Sequence, residues 1–390
     1  MIYLDNNATT ATDPQVVEAM RPYFTEKFAN PSSTYGFASE LKAVVEECRS
    51  AVAEKLDAER QEIVFTSGGT ESDSIAIIGA ALAQSKKGKH IITSQTEHKA
   101  VLESCKFLQK HFDCEITQLP VDSSGVIDLD VLHKSIRSDT VLVSVMLANN
   151  ETGVIQPVDE IVKLAHESGV PVHSDIVQAA GKIPVSLSEL DIEYAAISGH
   201  KLYGPRGVGI LYRKKGSPFV PVIRGGDHEN KMRAGTENTP GIVGISKALE
   251  IALESLKEKT AEVKKLRNKL QVGFVETIPE ILVNGDGAPR VPNTLSIAVK
   301  YIEGESMLFM LESEGILASS GSACTSTSLR ASHVLLAMGL DDATAHGSLR
   351  FSLGKKNTED EINHVIAVMP EIVRRLRRMS PICPAELKQI

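Results

Sequence analysis

Ser198-Gly199-His200-Lys201 stands between an apolar run, Tyr194-Ala195-Ala196-Ile197, and a glycine-punctuated stretch from Tyr203 to Gly209. A lysine at the mouth of a buried strand loses hydration, which lowers its pKa and leaves neutral amine able to form a Schiff base. Asp175 precedes it by 26 residues (201 − 175) and closes another apolar segment, Val172-His173-Ser174. A carboxylate there can keep a ring nitrogen protonated. His98 follows the strand pattern His90–Thr93 and offers a flat imidazole. Ser67-Gly68-Gly69-Thr70-Glu71-Ser72 joins the strand pattern Ile63–Thr66 to a helical run, Ile75–Leu82. Strand, small residues, then helix presents free amides and a positive dipole end to an anion such as phosphate. This is neither a GxGxxG turn nor a Walker loop, so nucleotide binding is not indicated. Cys324 lies among small and hydroxyl residues, Ala318 to Ser326, where a thiolate can serve as a nucleophile. Each feature alone also has a plain structural reading: a solvated lysine, a helix-capping aspartate, a packed histidine, an ordinary turn, an inert thiol.

The elements that would carry these residues alternate. Strand patterns at 63–66, 90–93, 115–117, 141–146 and 172–175 are separated by helical patterns near 75–82, 99–112, 129–135 and 161–167. Apolar strands in repeated strand-helix units predict a mainly parallel, doubly wound α/β sheet, with ligands beyond the carboxyl ends of the strands. His98, Asn150, Asp175, Gln178 and Lys201 all follow predicted strands, so one site is expected to hold them. Asp13-Pro14 predicts a helix start, with helices over 14–24 and 39–56. From about Pro240 a long helical stretch leads to a second, smaller α/β domain with a mixed sheet. The expected division is a large domain over 16–255 and a small one from 1–15 and 256–390 that carries the Cys324 loop. The cluster Arg374, Arg375, Arg377 and Arg378 reads as a charged helix end.

At 390 residues and 42% hydrophobic content the chain can build such cores. A net charge of −8 argues against nucleic acid as a partner. The N-terminus lacks a basic region followed by an apolar core, and no run of about 18 apolar residues occurs, so a cytoplasmic protein without a membrane anchor is expected. Five cysteines without a CxxC pair fit neither a disulfide framework nor a metal site. Cys48, Cys105 and Cys114 read as packing residues.

Pyridoxal phosphate needs a lysine for its aldehyde, an acid opposite its ring nitrogen, a phosphate cup and something flat against the ring. This chain offers each. Eight blocks, Tyr3–Thr10, Thr66–Ser72, Glu97-His98, Asn149-Asn150-Glu151, His173–Gln178, Ser198–Lys201, Arg233–Asn238 and Ser320–Cys324, resemble in this order the NifS-like cysteine desulfurases of nitrogen fixation and iron-sulfur assembly, within the class-V aminotransferase family. The resemblance implies fold type I, with a mainly parallel sheet of the seven-stranded type flanked by helices, and assigns Lys201 as the cofactor-carrying lysine, Asp175 to the ring nitrogen and His98 to stacking and proton handling. It places Gln178 and Asn150 near the ring oxygen, and Gly69, Thr70, Ser198 and His200 on the phosphate. Thr236 would reach the phosphate of the other subunit, which implies a homodimer. Arg350 would clamp the carboxylate of L-cysteine, with Asn150 beside it. Lys201 would remove the α proton and Cys324 would take the substrate sulfur as a persulfide, for delivery to an iron-sulfur scaffold or another acceptor protein.

The chain departs from the family at two points. Gly69 replaces a commoner alanine, a change expected to matter little because the backbone amide binds phosphate, and Tyr35 stands where many relatives have histidine. A selenocysteine lyase, an aminotransferase on the same fold and a cofactor-free binding protein remain alternatives on the sequence alone.

Overall fold

In a computed structural model, residues 1–254, 256–320 and 331–389 are described. The strands are β1 (Ile2–Tyr3), β2 (Ile63–Thr66), β3 (His90–Ser94), β4 (Glu115–Leu119), β5 (Thr140–Ser144), β6 (Val172–Asp175), β7 (Tyr194–Ser198), β8 (Gly209–Arg213), β9 (Ile281–Val283), β10 (Thr294–Val299), β11 (Ile316–Leu317) and β12 (Ser348–Ser352). Seven of them form one sheet in the order β2-β8-β7-β6-β5-β3-β4. The pairings among β3, β4, β5, β6 and β7 are parallel, whereas β8 runs antiparallel to both β2 and β7. β2, β3, β5, β6 and β7 are buried at every position, as expected of strands covered by helices on both faces. β8 follows directly on the glycine-punctuated stretch 203–209, a place where no strand is expected from the sequence. Gly209 at its start is required: a Cβ there would lie 2.6 Å from the backbone of Gly68.

The second sheet corrects the expectation of a mixed one. β12, β10 and β9 are all antiparallel, because the turn-rich connection 284–293 folds β9 back on β10 as a hairpin. β1 pairs in parallel with β11 as a separate two-stranded sheet, and the parallel bridge Asp5–Ser352 brings the N-terminal segment to β12. A hydrophobic cluster accordingly joins Leu4 to Phe274, Leu295, Phe351 and Val365, separate from the cluster under the large sheet.

Helix boundaries also shift for physical reasons. The stretch expected as one helix over 14–24 divides into Pro14–Met20 and Pro22–Thr25, since Pro22 has no N–H to continue the ladder. Asp13 caps the first, accepting from Gln15 N at 2.8 Å. The stretch after Pro240 forms two helices, Thr239–Glu254 and Leu256–Thr277. The terminal helix Glu359–Met379 is started by a capping box between Thr358 and Glu361. Arg377 near its end is buried and donates to the Pro279 carbonyl at 2.7 Å, so this member of the arginine cluster is structural. No described helix is long and apolar enough to cross a membrane.

Candidate active site

The carboxyl ends of β2, β5, β6 and β7 open into one cleft of about 670 Å³. Gly69, Thr70, His98, Asn150, Asp175, Gln178, Ser198, His200, Lys201 and Arg350 all line it. Ten sequence-predicted residues therefore meet in one place, although they span most of the chain. Thr236 does not line this cleft and is exposed. Cys324 lies outside the described residues; Ser319 and Ser320, just before it, are on the cleft wall.

Lys201 ends a short 3-10 turn after β7. The N-terminal segment pins that turn. Thr10 donates from its backbone N (3.0 Å) and its Oγ1 (2.8 Å) to the His200 carbonyl, and accepts from Tyr203 N at 2.8 Å. The Lys201 amine donates to the carbonyl of Ala8 at 2.7 Å and to that of Asn7. The imidazole Nδ1 of His200 lies 3.1 Å from Thr9 Oγ1, and burial with the neighbouring Lys201 and Arg206 cations pushes its pKa down to about 4. His200 is thus neutral near pH 7.

Asp175, on the same cleft, closes β6 and accepts from Val177 N at 2.8 Å. Burial, reinforced by the neighbouring Asp73, raises its pKa to about 7, while His98 acts in the other direction. His98 caps the helix Lys99–Phe112, its Nδ1 accepting from Ala100 N at 3.2 Å, and burial lowers its pKa. Side-chain atoms of Asp73, His98 and Asp175 lie within 4.8 Å of one another.

The helix Gly69–Ala83 begins on the cleft wall, with Gly68 as cap. Its first N–H groups have no partner within the helix and suit an anion. Gly69 matters more than the sequence implies. A Cβ at this position would sit 2.9 Å from Val177 Cγ2 and 3.4 Å from Ser198 Cβ, so alanine fits only if Val177 yields. Cys105 and Cys48 are no rivals to Cys324 as nucleophile: burial pushes their thiols up to about 12 and about 11.

Three further residues at the site carry no assigned role from the sequence, although Glu97 and Asn7 lie within the blocks named above. Asp73 is buried in the helix Gly69–Ala83 with Oδ1 3.4 Å from His173 Nε2; an acid just ahead of the apolar run Ile75–Leu82 was the available signal. Glu97 is buried and accepts from Met146 N at 2.7 Å. Asn7, in the doublet after Asp5, is a buried hub that contacts Gln178, Lys182, Lys201 and Asn150.

The class-V aminotransferase family model matches residues 2–365. The chain belongs to this family, among its cysteine desulfurases. It is 48% identical over 389 residues to cysteine desulfurase IscS of Methanosarcina thermophila, covering 100% of this chain and 96% of the relative. It is 51% identical over 381 residues to a cysteine desulfurase of a Nostoc species, covering 98% and 95%. Among solved structures, a NifS-like protein superposes with a TM-score of 0.89 at 41% identity, covering 96% of this chain and all of that one. SspA in complex with cysteine gives a TM-score of 0.81 at 32% identity, covering 92% and 100%. The large sheet with its flanking helices is the fold-type-I architecture of these proteins.

Proposed function

We propose that the cleft holds pyridoxal 5'-phosphate and that the chain converts L-cysteine to L-alanine, passing the sulfur as a persulfide on Cys324 into iron-sulfur cluster assembly. The observation that carries this reading is the convergence of the Lys201 amine, the buried Asp175 carboxyl, the His98 imidazole and the helix start at Gly69 on one cleft. The residues fit the cofactor. Asp175 is a buried acid with a raised pKa that a cationic ring N–H would satisfy, and Asp73 Oδ1 and Glu97 Oε2 beside it have no hydrogen-bond partner among the described residues. When bound, the cofactor supplies the electron sink that loosens bonds at the substrate α carbon.

The chain's own groups do the rest. Arg350 takes the substrate carboxylate, and Lys201 and His98 move protons at the α and β carbons. The Cys324 thiolate attacks the substrate sulfur; the sulfur-sulfur bond forms, the carbon-sulfur bond breaks, and a proton completes alanine. Cys324 follows Ser320 on the cleft wall by four residues (324 − 320), an extended reach of at most about 14 Å. Thr236, exposed and away from this cleft, suits a contact to the site of a second copy in a homodimer. The described cysteines carry free thiols, which suits a cytoplasmic setting.

The test is turnover of L-cysteine with a thiol reductant, measuring alanine and sulfide together. Equal amounts of both are expected. Alanine without matching sulfur release refutes the reading.

A further inference from the structure

Lys182 lies four residues beyond Gln178, in the turns that follow β6, and it holds its amine in an unusual setting. The amine donates to Asn7 Oδ1 at 3.1 Å and to Gln178 Oε1. Both partners are neutral amides, and no carboxylate pairs with Lys182 among the described residues. Burial, together with the nearby Lys201 and Arg350 cations, holds its pKa well below the ordinary lysine range. A lysine placed this way does not stabilise the fold as an ion pair would. What it does supply is direction.

A side-chain amide has an acceptor end and a donor end that are nearly the same shape, so packing alone does not choose between them. A donor set against Gln178 Oε1 makes the choice: the oxygen turns to Lys182 and the NH2 end turns the other way, where Nε2 donates to the Asn7 carbonyl at 3.1 Å. Lys182 makes the same choice at Asn7. With Oδ1 taken by Lys182 and by Asn293 Nδ2 at 3.0 Å, Asn7 Nδ2 donates to Thr294 Oγ1 at 2.8 Å and to the Asn150 carbonyl at 3.2 Å. The Asn7 carbonyl that receives Gln178 also receives the Lys201 amine. One amine therefore orients two amides and the main-chain oxygen to which Lys201 is bound.

We propose that Lys182 is a positioning residue that fixes the Gln178 amide on the cleft wall, its oxygen on Lys182 and its NH2 end on the Asn7 carbonyl, and keeps Asn7 in register with Lys201. This rests on the cofactor reading given above. If Lys182 acts through Gln178, removing either one has the same effect on the cofactor, and removing both adds little.

The experiment follows the visible absorption of the cofactor-loaded protein as pH is varied, in the wild type, Lys182→Met, Gln178→Leu and the double variant. Lys182→Met is expected to move the midpoint by about half a pH unit or more, the equivalent of one hydrogen bond, in the same direction as Gln178→Leu. The double variant is expected to move no further than the larger single change, and Lys182→Arg, which keeps a donor, to recover most of the shift. Lys182→Gln, too short to reach both amides, gives the Met-like result with less disturbance to packing should Lys182→Met fail to fold. A wild-type midpoint in Lys182→Met or Lys182→Gln, or a double shift equal to the sum of the singles, overturns the proposal while leaving the cofactor reading intact. A wild-type protein that takes up no cofactor overturns both.

Discussion

Arg350 Nη2 lies 2.8 Å from Asp5 Oδ1, while its Nη1 donates to the Asn150 carbonyl at 3.0 Å. The guanidinium is thereby fixed between β12, the N-terminal segment and the loop after β5, and it is almost fully buried. Its Nε has no partner among the described residues. The fork is held on the cleft wall, and the proposed function assigns it the substrate carboxylate.

Arg350→Lys keeps the charge and loses the fork. It is expected to lower kcat/KM for L-cysteine by about 10- to 100-fold, mostly through KM, because a charged hydrogen bond contributes about 1.5–3 kcal/mol. Steady-state kinetics check this, with cofactor absorption as the control. An unchanged KM contradicts the clamp.

Gly69 and Val177 are matched in size. Gly69→Ala puts a methyl carbon 2.9 Å from Val177 Cγ2, and overpacking of this kind is expected to cost about 1–3 kcal/mol. Val177→Ala in the same chain is expected to recover most of that loss and of the accompanying loss of phosphate affinity. Urea unfolding of the two single variants and the double measures the coupling; additive losses contradict it.

Buried ionisable groups give the cofactor-free protein a readable pH dependence. The folded-state pKa of Asp175, about 7, stands above its ordinary value of 3.8. Folded protein keeps a proton there that the unfolded chain has released, so this residue contributes stability at low pH that is lost as pH rises from about 4 to 7. The stability of wild type relative to Asp175→Asn is expected to fall across that window, by up to about 1.4 kcal/mol per pH unit. His173 works in the opposite sense. Its pKa is depressed to about 4, so its contribution is present above about 6.5 and is lost as pH falls toward 4. His173→Gln is expected to flatten the acid limb. Denaturant titrations at several pH values test both signs.

The sequence carried the site better than the frame around it. Lys201, Asp175 and His98 were legible because each ends an apolar strand pattern, and such ends share one edge of a parallel sheet. β8 was not, because its glycine serves the close approach of Gly68, which only tertiary structure reveals. The direction of β9 against β10 was open because β9 is only three residues long, although the connection after it, Asn284-Gly285-Asp286-Gly287, is rich in turn formers. Asn7, Asp73 and Lys182 were missed for another reason. Polar residues in turns or on a buried helix face declare their partners only when distant segments meet, as Asn7 meets Thr294 across 287 positions.

The central claim is that sulfur leaves L-cysteine onto Cys324. The most direct measurement adds L-cysteine to the cofactor-loaded protein without a reductant, and then weighs the peptides while counting alanine. One alanine should appear for each sulfur atom gained by the peptide carrying Cys324, and Cys324→Ala should make neither persulfide nor sulfide from L-cysteine. Sulfide released at the wild-type rate by Cys324→Ala would contradict the account.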